Sequence, residues 1–268
     1  MPLETYALAG GQKVKLGKAP AFHDSRTLQL AKYIPEGALA APPVSENFAK
    51  NVKRWPMMLN DRLGDCTCAC VGHMLQQWTT YTTSSPNVLP DATIEKLYEA
   101  VGGYNPSDPN SDKGAVILNV LNYWRKTGVA GDKILAFAGL EPQNHEQIKD
   151  SIVLFGNCYI GVQLPLSAQN QSVWSVPPGG PHGQGAPGSW GGHAIPIVAY
   201  DNRGVTVVTW GALKKVTWQF IDTYCDEAFA VLSTDWINKV TKLTPDKFDL
   251  DTLQNDLNLI AKAKAANV

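Results

Sequence analysis

Apolar positions recur at helical spacing in the first half of the chain and at strand spacing in the second. Ile94, Leu97, Tyr98 and Val101 stand at i, i+3, i+4 and i+7 behind Asp91, and Gly102-Gly103 follows, which predicts a capped helix with a defined end. Val116, Val120, Leu121 and Trp124 make a second buried stripe that stops at Gly128. A helix-compatible run leads from Cys66 to about Thr80, and residues 146–155 suggest one more helix. Residues 158–164 then switch to a β-rich pattern. After a Gly/Pro-rich loop at 179–192 come the runs 195–200, 205–210, 216–220 and 228–232, short, β-rich and separated by turn residues. A helical half followed by a small antiparallel sheet or barrel is an α+β arrangement.

The two ends read differently from this body. Residues 1–52 carry Pro20, Pro35 and the Pro42-Pro43 pair with little periodicity, apart from 29–34, which could be a short strand or a helical turn. They read as an arm. Leu250, Leu253, Leu257 and Ile260 form one helical stripe within residues 249–264, a tail that packs on the body or makes a dimer contact. The chain thus divides into an N-terminal arm (1–52), a helical half (53–155), a β half (156–236) and a helical tail (237–268).

Composition narrows the function classes. With 44% hydrophobic and 18% charged residues among 268, the chain has the make-up of an ordinary globular protein. A formal net charge of -1 gives no reason to expect nucleic acid or an anionic membrane as partner. No stretch approaches the ~18–20 apolar residues of a membrane span, and residues 1–11 lack the pattern of a secretory signal. Five cysteines is an odd number, and three of them alternate at 66, 68 and 70, so a reducing compartment, the cytoplasm, is expected.

The chemistry concentrates in residues 60–70. A Gly, then Asp65, then Cys66 puts the cysteine in the first turn of a helix, where unpaired N–H groups and the helix dipole favour a thiolate. Asp65 is expected to cap that helix with its carboxylate aimed at the following N–H groups. A nucleophilic cysteine needs a base. His73 is seven residues along the same helix, ~10 Å away at ~1.5 Å per residue, too far for a hydrogen bond. His193 follows the Gly/Pro loop and opens the apolar strand at 195–200, which makes it the better candidate. In a helix Cys66, Cys70 and His73 share a face while Cys68 points away, so the cluster does not match a closed tetrahedral metal site, and neither metal nor cofactor is expected.

These residues resemble the papain-like cysteine peptidases. Asn60 stands in the place of that family's glutamine, Gly64 in its glycine place and His193-Ala194 in its histidine place, at an interval close to the ~130–150 residues of the mature enzymes. Residues 119–129 are similar to the family's helix ending in a Gly-Val turn, and Thr209-Trp210-Gly211 to the end of its Asn-Ser-Trp-Gly motif. The resemblance covers about 52–232. Departures are Leu63 at a disulfide cysteine, Thr67 at a tryptophan, and Val208 at the asparagine that orients the histidine. Thr209 can replace that acceptor if the strand is shifted by one, because side chains alternate and only one of the two can face the ring.

The resemblance implies a papain-like fold with a cleft, Cys66 on one wall and His193 on the other. It implies a thiol hydrolase acting on peptide or other amide bonds, with a peptide or protein substrate. Cys66 attacks, His193 moves the proton, and Asn60 with the Cys66 N–H holds the oxyanion. Two alternatives stay open: an acyl transferase or ligase using the same dyad, and a scaffold without turnover that acts as a binding or structural protein. Residues 1–52 are expected to pack over the body, the alternative being an inhibitory segment covering the cleft.

Overall fold

The computed structural model describes residues 3–8, 10–32, 41–83 and 85–236. The expected tail helix over 249–264 and the end of the segment 29–34 lie outside these residues. The arm contributes a hairpin of β1 (Thr5–Ala7) and β2 (Lys13–Lys15) and a short strand β3 (Glu46–Asn47). Helices α1 (Cys66–Thr82), α2 (Asp91–Gly102) and α3 (Ile117–Lys126) follow. Then come β4 (Ile134–Leu140), α4 (His145–Phe155), β5 (Cys158–Leu164), β6 (Val173–Trp174), β7 (Gly191–Tyr200), β8 (Gly204–Thr209), β9 (Ala212–Thr217), α5 (Trp218–Tyr224) and β10 (Cys225–Ser233). The main sheet has the order β4-β10-β5-β7-β8-β9-β6, with β3 added on β7, and is antiparallel except where β6 meets β9. The expected α+β class is the observed one.

Two elements differ from the sequence reading. Strand β4 pairs with β10 at the sheet edge, yet its Ala136, Ala138 and Gly139 carry weak strand signals and acquire strand form by that pairing. The expected strand at 216–220 ends at Thr217, whose hydroxyl accepts the Phe220 N–H at 3.1 Å and starts α5.

Helix α1 is buried from Cys66 to Thr79 on every side, so it is a core element rather than an amphipathic surface one. Its polar groups must then find partners inside the protein. The Thr67 carbonyl accepts the Tyr159 hydroxyl at 2.7 Å, Gln76 donates to Arg54 O at 2.7 Å, and Gln77 accepts from the Asn157 amide at 2.8 Å. His73 pairs its Nε2 with Pro56 O at 2.9 Å and meets Trp55 edge to face, which accounts for this histidine structurally. Trp78 of α1 and Trp124 of α3 pack together at 5.6 Å, both fully buried.

The arm is bound to this core through Asp112. The buried Asp112 carboxylate accepts Lys15 Nζ at 2.5 Å, the Tyr98 hydroxyl at 2.7 Å and the Gly64 N–H at 3.0 Å. The Tyr98 hydroxyl in turn accepts the Gly114 N–H at 2.7 Å. One side chain thus ties the arm, the turn before α1, helix α2 and the loop before α3. Asp112→Ala would leave the buried Lys15 ammonium unpaired, and a loss of about 3–5 kcal/mol is expected. Guanidinium unfolding checks this, and a loss below ~1 kcal/mol would remove Asp112 from that role.

Candidate active site

Cys66 is the first residue of α1, where a backbone N–H has no acceptor within the helix. Its side chain is buried, and the N–H groups of Ala194 and Gly17 point at Sγ. Burial pushes the thiol up to about 12, the Asp65 carboxyl adds to the rise, and the two N–H groups and Lys18 oppose it without overcoming it. The expectation of an acidified thiol is therefore corrected for this conformation: a helix start lowers a thiol pKa when solvent or a cation stabilises the anion, and here the arm excludes water. The expected cap at Asp65 is also corrected. No hydrogen bond runs from its carboxyl to the helix N–H groups, the residue has no exposed surface, and desolvation holds its pKa well above the carboxylate range. A neutral carboxyl is the form that can sit there.

On the facing wall His193 lies in β7, opposite Val162 of β5, and is buried. Its Nε2 is 2.8 Å from Thr209 Oγ1 on β8. The alternation argument is resolved by this contact: Thr209 faces the ring, while Val208 packs on the other side with Ala49, Trp55 and Val198. The Trp210 ring stacks on His193 at 4.6 Å and 20°. Burial holds the His193 pKa down at about 3, so the ring is neutral. With the proton on Nε2 donated to Thr209, Nδ1 keeps a free lone pair, and it has no hydrogen-bond partner. Cys66 Sγ sits at the N–H of Ala194, the residue next to His193 in β7, without a bond to Nδ1.

Trp210 and Gly211 form the two-residue turn between β8 and β9, both at positive φ (48° and 72°). That geometry suits Asn-Gly and costs a tryptophan of order 1–3 kcal/mol. Its ring is held by His193 and by the Trp210 Nε1 bond to Lys15 O at 3.1 Å. Nothing in the sequence pattern announced this role for Trp210.

Asn60 follows two further residues at positive φ, Met58 and Leu59 (53° and 68°), which bend the chain back toward α1. Its amide donates to Leu63 O at 3.2 Å and lies beside the Asp65 carboxyl, and the residue is buried. In this conformation the amide is engaged within its own loop.

The cleft between the walls is filled by the arm. Lys18 donates its N–H to Gly192 O at 3.1 Å on the β side. On the helical side Ala115 donates to Gly17 O at 2.9 Å and Ala19 donates to Ala115 O at 2.9 Å. Gly17 passes so close to the turn before α1 that a Cβ there would stand 1.8 Å from Gly64 O. Sequence reasoning kept a cleft-covering arm as an alternative and missed the residues that do it. Local alternation carries no signal for a segment whose partners are backbone groups of distant elements.

No protein-family model matches the chain, and no curated protein matches it either. Solved structures do. Xylellain, a cysteine protease from Xylella fastidiosa, superposes with a TM-score of 0.62 at 16% identity, covering 81% of this chain and 95% of that one. The cysteine protease and lectin-like domains of Cwp84 from Clostridium difficile give a TM-score of 0.58 at 13% identity over 87% of this chain, which spans 62% of that one. Procathepsin B S9 from Trypanosoma congolense gives 0.56 at 12% identity, with 81% and 86% covered. At such identities the likeness is one of fold.

Two outcomes follow from the burial. Cys66 in the full chain should react with iodoacetamide no faster than Cys158 at neutral pH, and Lys18→Ala should accelerate it roughly tenfold or more by loosening the arm; peptide mapping by mass spectrometry reads both, and fast labelling of the unaltered chain would contradict the covered thiol. Burial also holds His73 down at about 4 against its ordinary 6.5. Between these values the unfolded chain binds a proton that the folded one does not, so stability falls as pH drops through that window. The unaltered protein should therefore lose on the order of 2 kcal/mol relative to His73→Gln between pH 7 and pH 4, read by urea unfolding at each pH.

Proposed function

We propose, from a chain with the papain-like cysteine-peptidase fold, that this protein is a thiol hydrolase of peptide or other amide bonds held here in a covered state. The observation that carries the reading is the His193 pair: a neutral imidazole oriented through Nε2 by Thr209, with an unpartnered Nδ1 on the strand whose next N–H touches the Cys66 sulfur. A buried imidazole nitrogen without a partner is unfavourable unless something needs it.

In the working state Cys66 gives its proton to His193 Nδ1 and the sulfur attacks the substrate carbonyl. The Cys66 N–H and the Asn60 amide are the donors for the oxyanion, the latter after release from Leu63 O. The imidazolium protonates the leaving amine, and the acyl-enzyme is resolved by water drawn through the same imidazole. Thr209 keeps the ring in its tautomer. Transfer of the acyl group to an amine uses the same residues and differs only in the second acceptor.

A second reading, favoured by the arm's bonds to both walls, is that residues 1–52 act as an inhibitory segment. Activity then requires the arm to leave or be cut. The five free, buried cysteines fit the cytoplasm. Among the described residues no helix is long and apolar enough to cross a membrane.

A diverse peptide library incubated with the full chain and with Lys18→Ala should yield cleaved or ligated products, stronger in the variant and absent with Cys66→Ala or His193→Ala. Thr209→Val should lower kcat by roughly a hundredfold through misorientation of the ring, with Thr209→Ser restoring most of it. A protein that forms no product and resists an electrophilic peptide trap after arm loosening would be a binding scaffold instead.

A further inference from the structure

Beside the thiol, the arm sends one side chain inward. Lys18 has no exposed side-chain surface, and its ammonium lies 2.9 Å from Asp226 Oδ2 and 3.0 Å from Glu227 Oε1, both on β10. The stem runs over Gly161 of β5, where an added Cβ would meet Lys18 Cε at 2.1 Å, while Gly192 of β7 makes room for the arm's backbone, an added Cβ there meeting the Lys18 carbonyl oxygen at 2.4 Å. One glycine therefore clears the channel, the other borders its mouth, and two carboxylates make its floor. Asp226 is itself held by the Gln163 amide at 2.6 Å. Glu227 is nearly buried and its Oε1 accepts no hydrogen bond of good geometry, so the visiting ammonium is its counter-charge.

An arm of this kind needs no lysine to lie in a groove, because its backbone bonds to Gly192 and Ala115 already fix its course. The acidic floor is therefore more than a fastening for the arm. Withdrawing Lys18 leaves two neighbouring carboxylates, one buried, facing an empty channel wide enough for a linear side chain, and that arrangement selects a cation. We propose that the channel bounded by Gly161, Gly192, Asp226 and Glu227 is the specificity pocket of this protein and takes a lysine or arginine side chain of a peptide substrate, Lys18 occupying it in cis as a surrogate. The inference rests on the peptidase reading for its substrate and on the Lys18 geometry for its chemistry. The loop at 179–192 has no charged side chain, and the selecting charges come from β10.

The test uses the full chain carrying Lys18→Ala, which empties the channel. Peptides in which lysine, arginine, norleucine or glutamate is scanned through positions around the scissile bond are compared for hydrolysis. The same peptides are compared for binding to the Lys18→Ala, Cys66→Ala protein by fluorescence anisotropy. Lysine and arginine should be preferred over norleucine by roughly tenfold or more at one position, with glutamate worst. Glu227→Gln should remove most of that preference and Glu227→Leu should turn it toward norleucine; Asp226→Asn, at a site with 27% of its side chain exposed, should weaken it even if the Glu227 variants fail to fold. Basic preference in binding without hydrolysis would uphold the pocket and sink the peptidase reading. Hydrolysis with no basic preference, or a preference indifferent to both carboxylates, would overturn the pocket and leave the peptidase standing. No binding of any peptide would overturn the pocket as well.

Discussion

An ammonium group with no exposed surface is stable only beside its counter-charges, and the burial of Lys18 against Asp226 and Glu227 adds its hold to the backbone bonds that lay the arm across the cleft. Burial alone would lower the Lys18 pKa; the charges of Glu227 and Asp226 together outweigh it and hold the group above its ordinary value, as a cation. Beside that charge, Gly17 lies over Cys66 and the backbone of residues 17–19 bridges the two walls of the cleft. Water leaves with it. Burial is the first cause of the high thiol pKa, of the low His193 pKa and of the raised Asp65 pKa.

His193 and Thr209 are held to each other within the sheet, and the Trp210 ring beside them is held in part by the arm through its Nε1 bond to Lys15 O. His193 and Thr209 sit on neighbouring strands, with Ile197 opposite Val207 setting the register, and the Trp210 ring closes over them. A tryptophan in a left-handed turn position is strained, and it persists because the stacking and the Gly211 that follows over-determine it. In the proposed reaction the arm and the Asn60 amide are the parts that move, and the sheet is the part that stays fixed.

Much of the fold was legible because burial patterns repeat locally. Helix α2, α3 and α4 and strand β5 follow from stripes and turn residues within their own segments, and the observed β5 covers the expected 158–164. Strand β4 was not legible, since its small residues acquire strand character by pairing with β10, which is far away in sequence. The helix α5 was missed because one threonine hydroxyl, rather than periodicity, turns the chain after Thr217.

For the candidate site, the sequence by itself determined which residue types stand at each position. It carried a cysteine after Gly-Asp at a helix start, a histidine opening a buried strand, and a Thr/Val choice that strand alternation reduces to one residue. These are local properties, readable from spacing and hydrogen-bonding capacity. The protonation states were decided by tertiary structure alone. Whether Cys66 is a thiolate or a thiol, whether Asp65 caps a helix or sits neutral, and which charge selects a ligand all depend on solvent exclusion and on carboxylates brought from β10 to a lysine of the arm. Dielectric environment is set by what packs around a group, and the groups that act on Cys66 come from the arm, the turn before α1 and strand β7.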